Sequence, residues 1–147
     1  MVVVHMVARV ALGGGSLTDD VQIALAVWYV LRRNFPKALA CVLMPGHLHL
    51  ITPAESAAGA RRRLAGALGH LQLTCGAARR LRWERVPLPV VIPDRKHLAR
   101  QIRYVVLNPC RDGLVACPTE WLWSTHRDVL GAVADPWVPA ERLARAL

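Results

Sequence analysis

The residue pattern predicts an α+β fold, a small antiparallel sheet with helices packed on one face. Three observations lead there. Apolar segments rich in β-branched residues at 2–12, 37–44 and 47–51 read as strands. Apolar residues at helical spacing mark 20–33, 56–73 and 95–107. Only Pro45-Gly46 separates the second strand from the third, a tight turn that sets the two antiparallel. The resulting order, β-α-β-β-α-β-α, is that of a ferredoxin-like split βαβ arrangement.

Each element has its own local reasons. The first strand is Val-rich and is broken by Gly13-Gly14-Gly15. Thr18, Asp19 and Asp20 offer caps for the first helix, which ends in Arg32-Arg33, cations suited to a helix C-terminus, before Asn34 and Pro36. In the third strand His47-Leu48-His49-Leu50-Ile51 alternates, with Leu48 and Leu50 expected toward the core and Pro53 as the stop. The second helix carries Arg61, Arg62 and Arg63 in its first half. Residues 74–82 are basic and poorly patterned. Trp83 to Ile92 contains two prolines and β-branched residues, which suit one or two short edge strands. Asp94 is placed to cap the third helix, and Asn108-Pro109 to end it, because the residue before proline avoids the α region. The tail turns near Gly113 and Pro118, carries Trp121 and Trp123, which are expected to pin it to the core, and ends in a short helix from Pro139.

Composition narrows the function. A chain of 147 residues suits one domain, 1–147, and a hydrophobic fraction of 54% excludes a disordered tail. Net charge is +9, and the excess is confined to one stretch. Between Arg61 and Arg111 twelve Arg or Lys face only Glu84 and Asp94. A concentrated positive field suits a polyanion such as nucleic acid, although a solvated basic surface has the same composition. Cys41, Cys75, Cys110 and Cys117 show no C-x-x-C spacing, so neither a zinc knuckle nor a redox motif is indicated. Free thiols, the absence of any apolar run of membrane-spanning length, and a start without a signal peptide's charged region lead us to expect a soluble cytoplasmic protein with no membrane partner.

Two constellations could carry chemistry. His47 and His49, at i and i+2 of a strand, share one face and form a natural pair of metal ligands, as well as a pair of merely solvent-facing rings. On the third helix His97, Gln101, Tyr104 and Asn108 recur at i, i+4, i+7 and i+11 as one polar stripe, with Leu98, Ile102 and Val105 to one side and Arg100 and Arg103 to the other. An ordinary amphipathic helix has the same pattern. Together the sets suggest more. Two imidazoles and the Asn108 carboxamide oxygen make a three-ligand site with open positions, suited to Mg²⁺ or Mn²⁺ acting on a phosphate oxygen. A neighbouring phenol is a plausible nucleophile, and Tyr29, beside Trp28 in an apolar helix, reads as core, which leaves Tyr104. Flanking arginines suit phosphates. His5, His70 and His126 have no partner spacing and read as structural.

These motifs resemble those of the single-tyrosine HUH transposases. VLMPGHLHLI is similar to the family's two-histidine motif, RYVVLNPCRDGLV to its tyrosine helix, and WLWSTHRDVLG and the opening HMVARV to the REP-associated branch. The likeness runs through nearly the whole chain in the same order. It implies metal ligation by His47, His49 and Asn108. It also implies attack by Tyr104 on single-stranded DNA near a hairpin, giving a 5′-phosphotyrosine and a free 3′-hydroxyl. DNA contacts are then expected from Arg61, Arg62, Arg63, Arg79, Arg80, Arg82, Arg100 and Arg103. Gly46 stands where the family usually has asparagine, and Cys110 and Asp112 stand where small or apolar residues are commoner. A monomer and a homodimer both fit. Two other functions fit the same residues: a domesticated nucleic-acid-binding module without catalysis, and a metal hydrolase that uses water.

Overall fold

A computed structural model describes residues 1–147 throughout. Strand β1 (Val2–Arg9) leads to helix α1 (Val21–Asn34), then to the β2 (Ala40–Leu43) and β3 (His47–Ala54) hairpin. Helix α2 (Ala57–Thr74), strand β4 (Val90–Ile92) and helix α3 (Arg95–Val106) follow. Three short helices complete the chain: α4 (Asn108–Arg111), α5 (His126–Val129) and α6 (Ala140–Ala146). The sheet order is β2-β3-β1-β4 and every pair is antiparallel, so the fold is the α+β, ferredoxin-like arrangement expected.

Caps fall where the side chains allow them. Asp20 accepts from the Gln22 N–H, Ser56 from Gly59 and Asp94 from His97, each satisfying a donor that the first helical turn leaves unpaired. Two stops differ from expectation. β3 runs through Pro53, because β2 has already ended: Leu39 N donates to Ile51 O, and the missing proline N–H then faces no partner strand. Asn108-Pro109 ends α3 but not the helical path. Leu107 keeps an α-region backbone and Pro109 enters the first turn of α4, where no N–H is required of it.

One expectation of the architecture is corrected. The helices do not all share a face. Val4, Met6 and Ala8 of β1, with Cys41, Leu43, Leu48 and Leu50, pack against α1 and α2. The other face, with Ala40, Val42, Ile51 and Ile92, is covered by Leu98, Ile102 and Val105 of α3. The cause is β2, whose four residues are all buried: a strand apolar on both faces requires cover on both.

The tail closes the outer edge of β2. Leu43 N donates to Trp123 O at 2.9 Å and Thr125 N to Cys41 O at 3.0 Å, so the edge presents no free ladder there. Trp121 Nε1 donates to Leu43 O at 2.8 Å and Trp137 Nε1 to Phe35 O at 3.0 Å. Trp28 meets Trp137 edge-on, with centroids 5.2 Å apart. These indoles are therefore anchors, as expected of Trp121 and Trp123. No helix is long and apolar enough to cross a membrane.

Candidate active site

Register decides which side chains meet. Val7 pairs with His49, Arg9 with His47 and His5 with Ile51, so His5, Arg9, His47 and His49 all project from the face that α3 covers. Helix α3 is set on that face by its apolar stripe, which brings its polar stripe to the histidines. The Tyr104 ring stands edge-on to His49, centroids 5.8 Å apart and planes at 89°. Tyr104 is 42% exposed. The Arg111 guanidinium lies 4.8 Å from the ring centroid.

The imidazoles converge. His47 Nε2 is 3.1 Å from His49 Nε2, and His49 Nδ1 is 3.0 Å from His5 Nε2. Burial first, then the neighbouring His5, His47 and Arg9, push His49 down to about 3. Burial and then Arg9 also lower His47, with Asp112 acting the other way. Neutral imidazoles are the form that binds metals. Two ligands at right angles on an ion, with bonds of about 2.1 Å, stand roughly 3.0 Å apart. The two Nε2 atoms therefore fit a shared cation. No three His, Cys, Asp or Glu side chains gather into a metal-holding cluster. Asn108 is buried at the start of α4; its Nδ2 donates to Tyr104 O at 3.2 Å, and no hydrogen bond joins it to either imidazole.

The other expected residues are distributed more widely. His97 is occupied at the far end of α3, its Nδ1 2.8 Å from Asp94 Oδ2. Arg100 and Arg103 are exposed on α3. Arg61, Arg62 and Arg63 lie on α2, across the sheet from the histidines, and Arg79 and Arg80 on the 3₁₀ turn after it. Arg82 donates to Gly13 O at 3.1 Å. The basic stretch of the sequence is thus split in space between two sides of the sheet. Tyr29 is not core: it is 63% exposed, because the buried stripe of α1 is Ala24, Val27 and Leu31. It lies across the sheet from the histidines all the same, so Tyr104 is the tyrosine that meets them.

Several neighbours escaped the sequence reading. His5 and Arg9 enter through the pairing of strands some forty residues apart, which no local pattern reveals. Arg111 and Asp112 arrive because the chain continues helically past Pro109. The one available signal for His5 was its position in a strand, where alternation puts it on the face of Arg9.

No family model matches the chain, and neither does any curated protein. Among solved structures, the chain is similar to a REP-associated tyrosine transposase bound to a REP hairpin. The two share 22% identity with a TM-score of 0.65, over 91% of this chain and 82% of the other. At that identity the likeness establishes a common fold.

Proposed function

We propose that this protein is a metal-dependent DNA strand transferase of the single-tyrosine HUH kind, in its REP-associated branch, acting on single-stranded DNA beside a hairpin. The observation that carries the reading is the meeting of the Tyr104 ring with the paired imidazoles across the sheet–helix interface. The shared fold with a hairpin-bound transposase supports it.

In this reading His47, His49 and the Asn108 carboxamide oxygen would hold Mg²⁺ or Mn²⁺, which would supply Lewis-acid stabilisation of charge on a phosphate. His49 supplies a neutral lone pair because its burial disfavours protonation. Asn108 keeps its oxygen available by using its N–H₂ on the Tyr104 carbonyl, which also ties it to the turn bearing the nucleophile. Arg111 holds the phenol ring, a cation–π contact of about 0.5–1 kcal/mol at an exposed site. The Tyr104 oxygen forms a bond to phosphorus as the bond from phosphorus to the 3′ oxygen breaks. The phenolic proton ends on that departing oxygen, leaving a 5′-phosphotyrosine and a 3′-hydroxyl. The number of phosphoester bonds is conserved, so the strand can be rejoined by the reverse step without ATP. Arg100 and Arg103, exposed on the same helix, hold flanking phosphates in this reading.

The test is a denaturing gel of protein mixed with labelled single-stranded hairpin DNA and Mn²⁺. We expect a covalent adduct that disappears in Tyr104→Phe and His49→Ala. Salt-sensitive binding with no adduct from the unaltered protein would identify a binding module instead. Cleavage that survives Tyr104→Phe would identify a hydrolase.

A further inference from the structure

We infer that His5 and Gln101 are positioning residues: they fix the tautomer and ring orientation of His49, so that its Nε2 lone pair faces His47. The inference rests on reading His47 and His49 as the ligand pair.

The geometry is a short relay across two strands and a helix. His5 lies diagonally across the β1–β3 ladder from His49, and the rings stand 5.2 Å apart, tilted by 32°. His5 Nε2 is 3.0 Å from His49 Nδ1, while His49 Nε2 is 3.1 Å from His47 Nε2. On the far side, the Gln101 side chain is the polar neighbour of the His5 ring. Gln101 is three residues before Tyr104 on α3, so the helix that carries the phenol also carries the start of the relay.

A neutral imidazole has one N–H and one lone pair. His49 presents a lone pair at Nε2 only when its proton is on Nδ1. His5 Nε2 must then accept that N–H, which leaves the His5 proton on Nδ1. There an amide oxygen, that of Gln101, is the matching acceptor. In this assignment both contacts run the same way, the His49 N–H toward His5 and the His5 N–H toward Gln101. The opposite assignment points the His49 proton at His47 Nε2 and leaves His49 no lone pair there for a cation. Metal-bound histidines are commonly held by a carboxylate or carbonyl at the second nitrogen. Here the holder is a neutral ring backed by an amide, which avoids burying a carboxylate between sheet and helix.

The experiment compares the unaltered protein with His5→Leu, Gln101→Leu and His5→Gln. Mn²⁺ affinity is measured by calorimetry, and the His49 tautomer by ¹⁵N–¹H correlation of the ring nitrogens without metal. We expect both leucine variants to bind Mn²⁺ about 10–100-fold more weakly. Their His49 proton should redistribute from Nδ1 toward Nε2, with an unchanged far-UV circular dichroism spectrum. His5→Gln, which keeps an acceptor beside His49, should recover most of the affinity. An unaltered His49 tautomer in both leucine variants overturns the inference. Failure of the unaltered protein to take up Mn²⁺ overturns the ligand reading instead, and the ring spectra still decide whether His5 and Gln101 hold His49.

Discussion

Gly46 immediately precedes the first histidine, where flexibility would misdirect the ring. Hydrogen bonds across the turn and from outside it remove that freedom. Val10 N donates to Gly46 O at 2.9 Å, Leu17 N to Pro45 O at 2.8 Å and Met44 N to His47 O at 2.8 Å. Gly46 has no positive φ, and a Cβ built on it meets nothing within 4 Å. The glycine is therefore not required by its backbone. Gly46→Ala should stabilise the fold by about 0.4–1 kcal/mol, mainly by restricting the unfolded chain. Urea unfolding checks it; a loss of stability would mean that the turn needs conformations closed to alanine. At this scale the sequence displays what periodicity displays. His47 and His49 share a face because strands alternate, and Tyr104 lies on the wet side of α3 because helices repeat about every 3.6 residues. His5 remained hidden because its contact depends on register, and Tyr29 was misplaced because an apolar helix still has an outer side.

Among the elements, the tail shows how a buried charge can be structural. Asp128 in α5 is 6% exposed, and its Oδ2 accepts from Trp137 N at 2.8 Å and Val138 N at 3.0 Å. It ties α5 to the segment that lays Trp137 on the core. Burial raises its pKa, and the two backbone N–H groups offset this only in part. Asp128→Ala should cost about 2–3 kcal/mol, since two buried donors lose their acceptor. Asp128→Asn keeps an acceptor oxygen and should cost far less. The sign of the pH effect follows from the raised value. The folded state binds this proton more tightly than the unfolded state, so the group favours folding more as pH falls through its folded pKa toward 3.8. Relative to Asp128→Asn, the unaltered protein should therefore gain stability between pH 7 and pH about 4.5. Urea titrations of the pair at both pH values check it, and a constant difference would show that the carboxyl is not shifted. The tail's role was legible from its tryptophans, but this tether was not, because it joins positions nine and ten residues apart within a segment lacking periodicity. The main helices and strands were legible almost to their ends. The placement of α3 was not, although the unbroken apolar run of β2 already required cover on both faces.

Across the whole molecule, the charge has been left unpaired. Arg32 with Asp135 is the only arginine or lysine in an ion pair with a carboxylate. Apart from Arg82, which donates to Gly13 O, and Arg111, which lies over the Tyr104 ring, the basic residues between Arg61 and Arg111 are thus free to meet an outside anion, and the fold places them on both sides of the sheet. Arg100 and Arg103 share α3 with Tyr104, while Arg61, Arg62 and Arg63 are on α2. Sequence order put them in one stretch; folding around the sheet divided it. A DNA ligand larger than the reactive strand, with a hairpin beside a single-stranded end, could engage both sides. Each phosphate neutralised adds to the salt dependence of binding, about 0.9 to the log–log slope for duplex and about 0.7 for single strands. Arg100→Ala with Arg103→Ala should flatten the slope by up to about 1.4 on a single-stranded ligand, where both residues would meet the reactive strand. Replacing Arg61, Arg62 and Arg63 by Ala should flatten the slope for a hairpin-bearing ligand, and the two sets should act additively because they share no contacts. Fluorescence anisotropy across a salt series measures both. A hairpin slope left unchanged by the α2 substitutions would show that DNA stays on the tyrosine side, and that the arginines of α2 serve only as a solvated face.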